Sequence, residues 1–204
     1  MDAKAVVKIL DWSYDQAIQG IPGMGTAEEL AISYLRTPGT AKENADKLIR
    51  YQILKCGSSG FLTNLGGLIT LPIALPANMT SVLYMQLRMI AAIAYMGGYN
   101  MHDDRVKTLA FLCLCGNQVE DVLKQVGIHI GKKMTERVIQ NISGSIIRQI
   151  NQAVGFRLLT KFGTKGMINL SKSIPIAGGI IGGGIDAYTT KIIGEKAKKM
   201  FIIE

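Results

Sequence analysis

The chain has 204 residues and a net charge of +8, with 48% hydrophobic and 19% charged residues. Charged residues are fewer than the ~25% of an average globular domain, and the mean hydropathy is +0.23. This composition excludes a disordered polar chain and a coiled coil. Three cysteines are too few for a disulfide scaffold, and their apolar neighbours predict buried, reduced thiols.

Amphipathic helices are predicted at the start of the chain. Over residues 3–19, apolar side chains recur on one face at helical spacing, opposite Lys4 and Lys8. Gly20 and Pro22 end this helix. Two Thr-x-x-Glu sequences then predict capping boxes, in which the two residues satisfy each other's backbone amides. They begin further helices at Thr26–Glu29 and Thr40–Glu43.

Two stretches contain no charged residue, at 56–87 and 173–185. Glycines and prolines interrupt the first, so it predicts two helical pieces, at 58–71 and 77–97. Such a hairpin fits either a soluble core or a transmembrane pair. Small residues spaced four apart, as in Gly178/Gly182 and Gly179/Gly183, let two helices approach closely. We predict this packing role for Gly66, Gly67, Gly178, Gly179, Gly182 and Gly183.

Two charged residues adjoin these apolar stretches. Arg88 lies near the middle of the second piece, and Asp186 directly follows 173–185. A buried charge without a partner is destabilising, and removing one member of a buried pair costs about 3–5 kcal/mol. We therefore predict an ion pair between Arg88 and Asp186. The alternative places Asp186 at a helix end in water.

The second half of the chain also has helical periodicity. Asp103 or Asp104 is predicted to cap a helix, and an amphipathic stretch follows at 119–126. A long surface helix is predicted at about 132–154 from one apolar stripe. The stripe consists of Ile139, Ile142, Ile146, Ile150 and Ala153.

Helical patterns recur along the whole chain, whereas the alternation typical of strands is almost absent. We therefore predict an all-α fold, a helical bundle with glycine-rich apolar helical hairpins and little or no β-strand. Residues 1–204 are expected to form a single domain. Its N-terminal amphipathic helices occupy 1–39, and the remainder occupies 40–204.

Basic residues predominate between 122 and 185, where nine cations accompany one anion, Glu136. Such a segment is attracted to anionic phospholipid or nucleic acid, although a solvated face with a cationic bias is the alternative. Nucleic acid is not the expected partner, because the cations are spread thinly and no recognised binding module is present. The predicted membrane-binding residues are Lys132, Lys133, Arg137, Arg148, Arg157, Lys161 and Lys165.

His102-Asp103-Asp104 is the densest group of potential metal ligands. A metal or acid–base site would need a further ligand from a distant helix, whereas a helix cap explains the aspartates. Cys113 and Cys115 would point to different faces of a helix, and no second pair of cysteines accompanies them. We therefore expect no enzymatic activity, no metal and no cofactor.

Three stretches carry a likeness to a known family. They are Gly66-Gly67 with Leu71-Pro72, then Ile93-Ala-Tyr-Met-Gly-Gly-Tyr99 before Asp103-Asp104, and Ile174-Pro-Ile-Ala-Gly-Gly with Asp186-Ala-Tyr-Thr-Thr and the Lys-rich end. Together they resemble the bacterial EcsC family over residues 40–204. That family takes its name from a protein encoded beside an ABC-type exporter. The resemblance implies membrane association and a transport or secretion setting, and it brings no catalytic residues.

These observations predict a non-enzymatic, cytoplasmic protein that is peripheral to, or partly inserted at, the inner face of a membrane. Its partner would be anionic lipid or a membrane protein. One alternative is a soluble bundle that binds a hydrophobic ligand or lipid. Another is an effector that changes from a soluble to an inserted, membrane-disrupting form. The sequence is compatible with a homo-oligomer.

Overall fold

The computed structural model describes residues 3–57, 77–128, 136–162 and 183–202. Within these ranges the chain forms nine α-helices and a 3-10 turn, and its one β-bridge is isolated. The predicted all-α fold is confirmed. The helices are α1 (Ala3–Gln19), α2 (Ala27–Leu35), α3 (Ala41–Gly57), α4 (Ala77–Met96), α5 (Asp104–Cys113), α6 (Val119–Gln125), α7 (Glu136–Gln140), α8 (Gly144–Phe162) and α9 (Gly183–Phe201).

Local capping signals set the start of three helices. Glu29 N donates to Thr26 Oγ1 at 3.0 Å, and Thr26 N donates to Glu29 Oε2 at 2.9 Å. The same reciprocal pair joins Glu43 and Thr40, at 3.2 and 2.8 Å. Asp103 caps α5, because its carboxylate accepts a backbone N–H two residues ahead at 2.8 Å. All three predicted caps are confirmed.

Helix α4 lies at the centre of the bundle. Every side chain from Thr80 to Ala94 is buried, and α1, α2, α3, α5 and α9 pack around it. A helix that is predominantly apolar on all sides is expected in a core, and the buried polar exceptions in α4 include Gln86 and Arg88. The hydrophobic core around it includes side chains from Val6 to Phe201, and therefore from nearly both ends of the chain.

Contacts between α3, α4 and α9 establish the relative directions of these three helices. Gln86 of α4 donates to Thr190 Oγ1 of α9 at 3.2 Å, and further along both helices Gly97 adjoins the Phe201 carbonyl. Helices α4 and α9 are therefore parallel. Helix α3 is antiparallel to α9, because an ion pair joins the start of α3 to the end of α9. This pair is Asp46–Lys198.

The predicted continuous helix at 132–154 is wrong in one respect. Among the described residues, this region contains two helices, α7 and α8, separated by residues 141–143. Ser143 directly precedes α8, and its carbonyl accepts a hydrogen bond from Ile147 N at 3.0 Å. Ile142 lies between the two helices, and its carbonyl accepts a hydrogen bond from Arg105 Nε at 3.2 Å. The apolar stripe nevertheless faces inward, because each of its residues is buried or half-buried.

Close helix contacts involve glycines that the sequence analysis did not select. An ideal Cβ on Gly155 of α8 would lie 2.8 Å from the Ala3 carbonyl oxygen, and one on Gly194 of α9 would lie 2.8 Å from Ile49 Cγ1. Gly183 is the first residue of α9. The piece at 58–71 and the remaining predicted packing glycines lie outside the described residues. These are Gly66, Gly67, Gly178, Gly179 and Gly182.

Candidate functional site

One end of the bundle brings together three helix ends that flank the uncharged stretches. Helix α3 ends there, and α4 and α9 begin there, because α4 and α9 are parallel and α3 runs in the opposite direction. We name this region the apolar end and define it by three exposed side chains. They are Tyr51 and Leu54 of α3 and Tyr188 of α9.

The three hydrophobic residues that define the apolar end are each about half or more exposed. Leu54 is 73% exposed, Tyr188 54% and Tyr51 45%. Single exposed apolar residues are normal on a protein surface. Three of them lie within the last two turns of α3 and the first two turns of α9, at the same end of the bundle, and a grouping of exposed apolar residues is typical of a binding surface.

The apolar end also contains cations. Arg50 and Lys191 are exposed, and Lys55 Nζ lies 4.8 Å from the centre of the Tyr51 ring. Asp186 is half-buried in the first turn of α9. Aromatic rings beside Lys and Arg are the combination that proteins place at membrane–water interfaces.

The predicted membrane-binding residues are only partly within the described structure. Arg137 and Arg148 are exposed, and Arg157 is half-buried. Arg148 lines a groove between α1 and α8, whereas Arg157 lines an adjoining cavity of about 630 Å³ that shares Ala3 and Gln152 with the groove. Lys132, Lys133, Lys165 and the side chain of Lys161 lie outside the described residues. Their role in binding stays a prediction.

Arg88 is 7% exposed and contacts the loop before α2. Its Nε donates to the Gly25 carbonyl at 2.8 Å, and its Nη2 donates to the Thr26 carbonyl at 3.4 Å. Positions 86 and 88 point to nearly opposite sides of a helix, and Gln86 is the residue that faces α9. The ion pair between Arg88 and Asp186 stays a prediction.

The groups that could support chemistry have structural roles in the described residues. Asp103 is a helix cap beside the exposed His102. The Cys113 thiol is fully buried, and burial raises its pKa, so the reactive thiolate is disfavoured at neutral pH. No cluster of three or more His, Cys, Asp or Glu side chains that could hold a metal occurs in the described ranges.

None of the described helices combines the length and apolar character needed to cross a membrane. Comparisons of the chain with protein-family models, curated proteins and solved structures find no match. The resemblance to the EcsC family therefore stays a prediction.

Sequence reasoning did not single out the apolar end. The sequence did contain a signal for the part on α3. Tyr51 and Leu54 are three residues apart and therefore share a helix face, and Arg50 and Lys55 flank them. Tyr188 had no comparable signal. Its exposure depends on how α9 packs against α3, which the local sequence does not determine.

Proposed function

We propose that this protein is a non-enzymatic, membrane-associated helical bundle that contacts an anionic lipid surface through its apolar end. The observation that carries the proposal is the exposure of Tyr51, Leu54 and Tyr188 at the end where α3 stops and α4 and α9 begin. The uncharged stretches 56–87 and 173–185 adjoin these same helix ends. Membership of the EcsC family and a place at the inner face of the membrane belong to the same proposal.

Leu54 illustrates the energy that this surface makes available. Burying a whole leucine side chain is worth about 1.5–3 kcal/mol, and 73% of Leu54 is exposed before binding. Transfer of this side chain into the lipid interface therefore contributes about 1–2 kcal/mol. That energy corresponds to roughly a tenfold change in affinity.

Charge supplies the second part of the interaction. Arg50, Lys55 and Lys191 lie beside the apolar side chains, and the chain as a whole carries +8. Each basic residue near an anionic leaflet contributes about 1 kcal/mol at physiological salt. Binding should therefore require anionic lipid and weaken at ~1 M salt, where the Debye length is only about 3 Å.

Co-sedimentation with vesicles tests the proposal. The full chain should sediment with an equal mixture of phosphatidylcholine and phosphatidylglycerol but remain largely in solution with phosphatidylcholine alone. Leu54→Gln should weaken binding roughly tenfold. The matched control is Leu35→Gln, because Leu35 is 41% exposed and ends α2 beside the start of α3, at the opposite end of the bundle.

Two results would count against the proposal. One is binding that does not depend on lipid charge, which would remove the role of the cations. The other is an equal effect of Leu54→Gln and Leu35→Gln, which would show that the apolar end has no special part. Both side chains are exposed, so neither substitution should change the free energy of unfolding by more than about 0.5 kcal/mol.

A further inference from the structure

A groove between α1 and α8 brings together three cationic side chains. Lys4 and Lys8 of α1 and Arg148 of α8 line it, together with the carboxamides of Asn151 and Gln152. Its volume is about 730 Å³, which lies within the ~300–1,000 Å³ of typical small-ligand sites. Among the described residues that line the groove, none is acidic.

Among the described residues, no ion pair neutralises the three cations of the groove. Lys4 and Lys8 are four residues apart and therefore share a face of α1. All three cationic side chains are exposed, and the ion pairs between described residues involve other cations. Like charges at this spacing repel by about 0.2–0.5 kcal/mol per pair. An anion bound among Lys4, Lys8 and Arg148 would replace this repulsion with attraction.

Asn151 adds a half-buried polar side chain to the lining of the groove. Its Oδ1 atom is buried and has no hydrogen-bond partner among the described residues. A buried polar atom left in this state costs about 1–3 kcal/mol. Ala3 and Val7 complete the lining with an apolar wall.

We propose that this groove binds the phosphate of an anionic phospholipid headgroup. Lys4, Lys8 and Arg148 would contact the phosphate oxygens, since charge-assisted bonds of this kind are short and about twice as strong as neutral ones. The wall formed by Ala3 and Val7 would contact the hydrocarbon attached to the phosphate. The lipid source rests on the proposed function, but occupation of the groove requires no bilayer.

Calorimetric titration of the full chain with soluble lipid tests this site. The probes are dihexanoyl phosphatidic acid below its micelle concentration, dihexanoyl phosphatidylcholine and inorganic phosphate. The first should bind most tightly, inorganic phosphate more weakly, and the zwitterionic lipid not measurably. Equal affinity for the phosphatidic acid and inorganic phosphate would overturn the lipid assignment. Equal affinity for the two lipids would overturn the requirement for an anionic ligand.

Variants locate the binding to the groove. Lys8→Gln combined with Arg148→Gln should weaken binding of dihexanoyl phosphatidic acid at least tenfold, because two charge-assisted contacts are lost. The control, Arg36→Gln combined with Lys199→Gln, removes the same charge from exposed positions outside the groove and should leave the affinity unchanged. Equal losses in the two double variants would overturn the site and indicate a general effect of charge.

A further variant and the vesicle assay distinguish failure of the groove proposal from failure of the membrane proposal. Asn151→Asp adds a negative charge to the groove without removing a cation, and it should also weaken binding of dihexanoyl phosphatidic acid at least tenfold. Leu54→Gln should weaken vesicle binding and leave binding of this soluble lipid unchanged. Vesicle binding without soluble-lipid binding would therefore overturn the groove alone. The reverse result would overturn the membrane proposal and retain the groove.

Discussion

Replacing Gly155 by alanine tests the contact between α1 and α8 that forms one wall of the groove. An ideal Cβ at this position would lie 2.8 Å from the Ala3 carbonyl oxygen and 3.0 Å from Val7 Cγ2. Favourable contacts between such atoms require about 3.5–4.0 Å. The oxygen belongs to the backbone of α1, so the added methyl group must push the two helices apart.

Two opposing effects determine the size of the change. Alanine in a helix interior is favoured over glycine by about 0.5–1 kcal/mol, whereas overpacking a tight contact costs about 1–3 kcal/mol. Overpacking is the larger effect, and we expect a net loss of about 0.5–2 kcal/mol in the free energy of unfolding. At an m-value of about 2 kcal/mol/M, the urea midpoint would fall by about 0.3–1 M.

Urea unfolding followed by far-ultraviolet circular dichroism measures this effect. The matched control is Gly184→Ala in α9, where an added Cβ meets nothing within 4 Å. In the control, helix propensity acts alone, and the midpoint should stay the same or rise. A Gly155→Ala protein that is as stable as the Gly184→Ala protein would refute the close contact between α1 and α8.

Three further predictions concern buried or paired groups. Arg88→Met should lower the free energy of unfolding by about 2–3 kcal/mol in urea titration, because the Gly25 carbonyl loses its charged donor; unchanged stability would contradict this contact. Burial would raise the pKa of Glu120, but the hydrogen bond from Lys196 outweighs it and lowers the pKa. This pair should stabilise the fold above about pH 4.3, the usual Glu value, and the stabilisation should disappear as the pH falls through the lowered pKa of Glu120. If the melting temperature of Glu120→Gln falls with acid as steeply as that of the unmodified protein, the pair does not provide this stabilisation. In a variant that keeps Cys113 as its only cysteine, a thiol reagent at neutral pH should react only after unfolding, and rapid reaction with the native protein would disprove the burial of Cys113.

The sequence predicted those elements whose signals are local. The Thr26–Glu29 and Thr40–Glu43 capping boxes fix helix starts through contacts between residues three apart, so no knowledge of the fold was needed. The break between α7 and α8 also had a local signal, because Ser143 followed by Gly144 can begin a helix. The regular isoleucine spacing across positions 139–150 obscured that signal, since both helices present their isoleucines to the same core.

The candidate surfaces depended on contacts that sequence periodicity does not contain. The groove forms where residues near the start of the chain meet Arg148 and Asn151, and Gly155 permits this approach. Sequence analysis selected Arg148 for its charge but could not pair it with Lys4 and Lys8. Similarly, the apolar character of 77–97 fitted either lipid or a protein core. The helices packed around α4 place its residues 80–94 in the core.

The most direct test of membrane contact places a fluorescent probe at the apolar end. The chain contains a single tryptophan, Trp12, so Trp12→Phe combined with Leu54→Trp gives a probe at position 54 alone. With vesicles of phosphatidylglycerol and brominated phosphatidylcholine, the emission of this tryptophan should shift to shorter wavelength and be quenched by bromine. Unchanged emission, in vesicles that nevertheless bind the protein, would contradict the proposal that the apolar end contacts lipid.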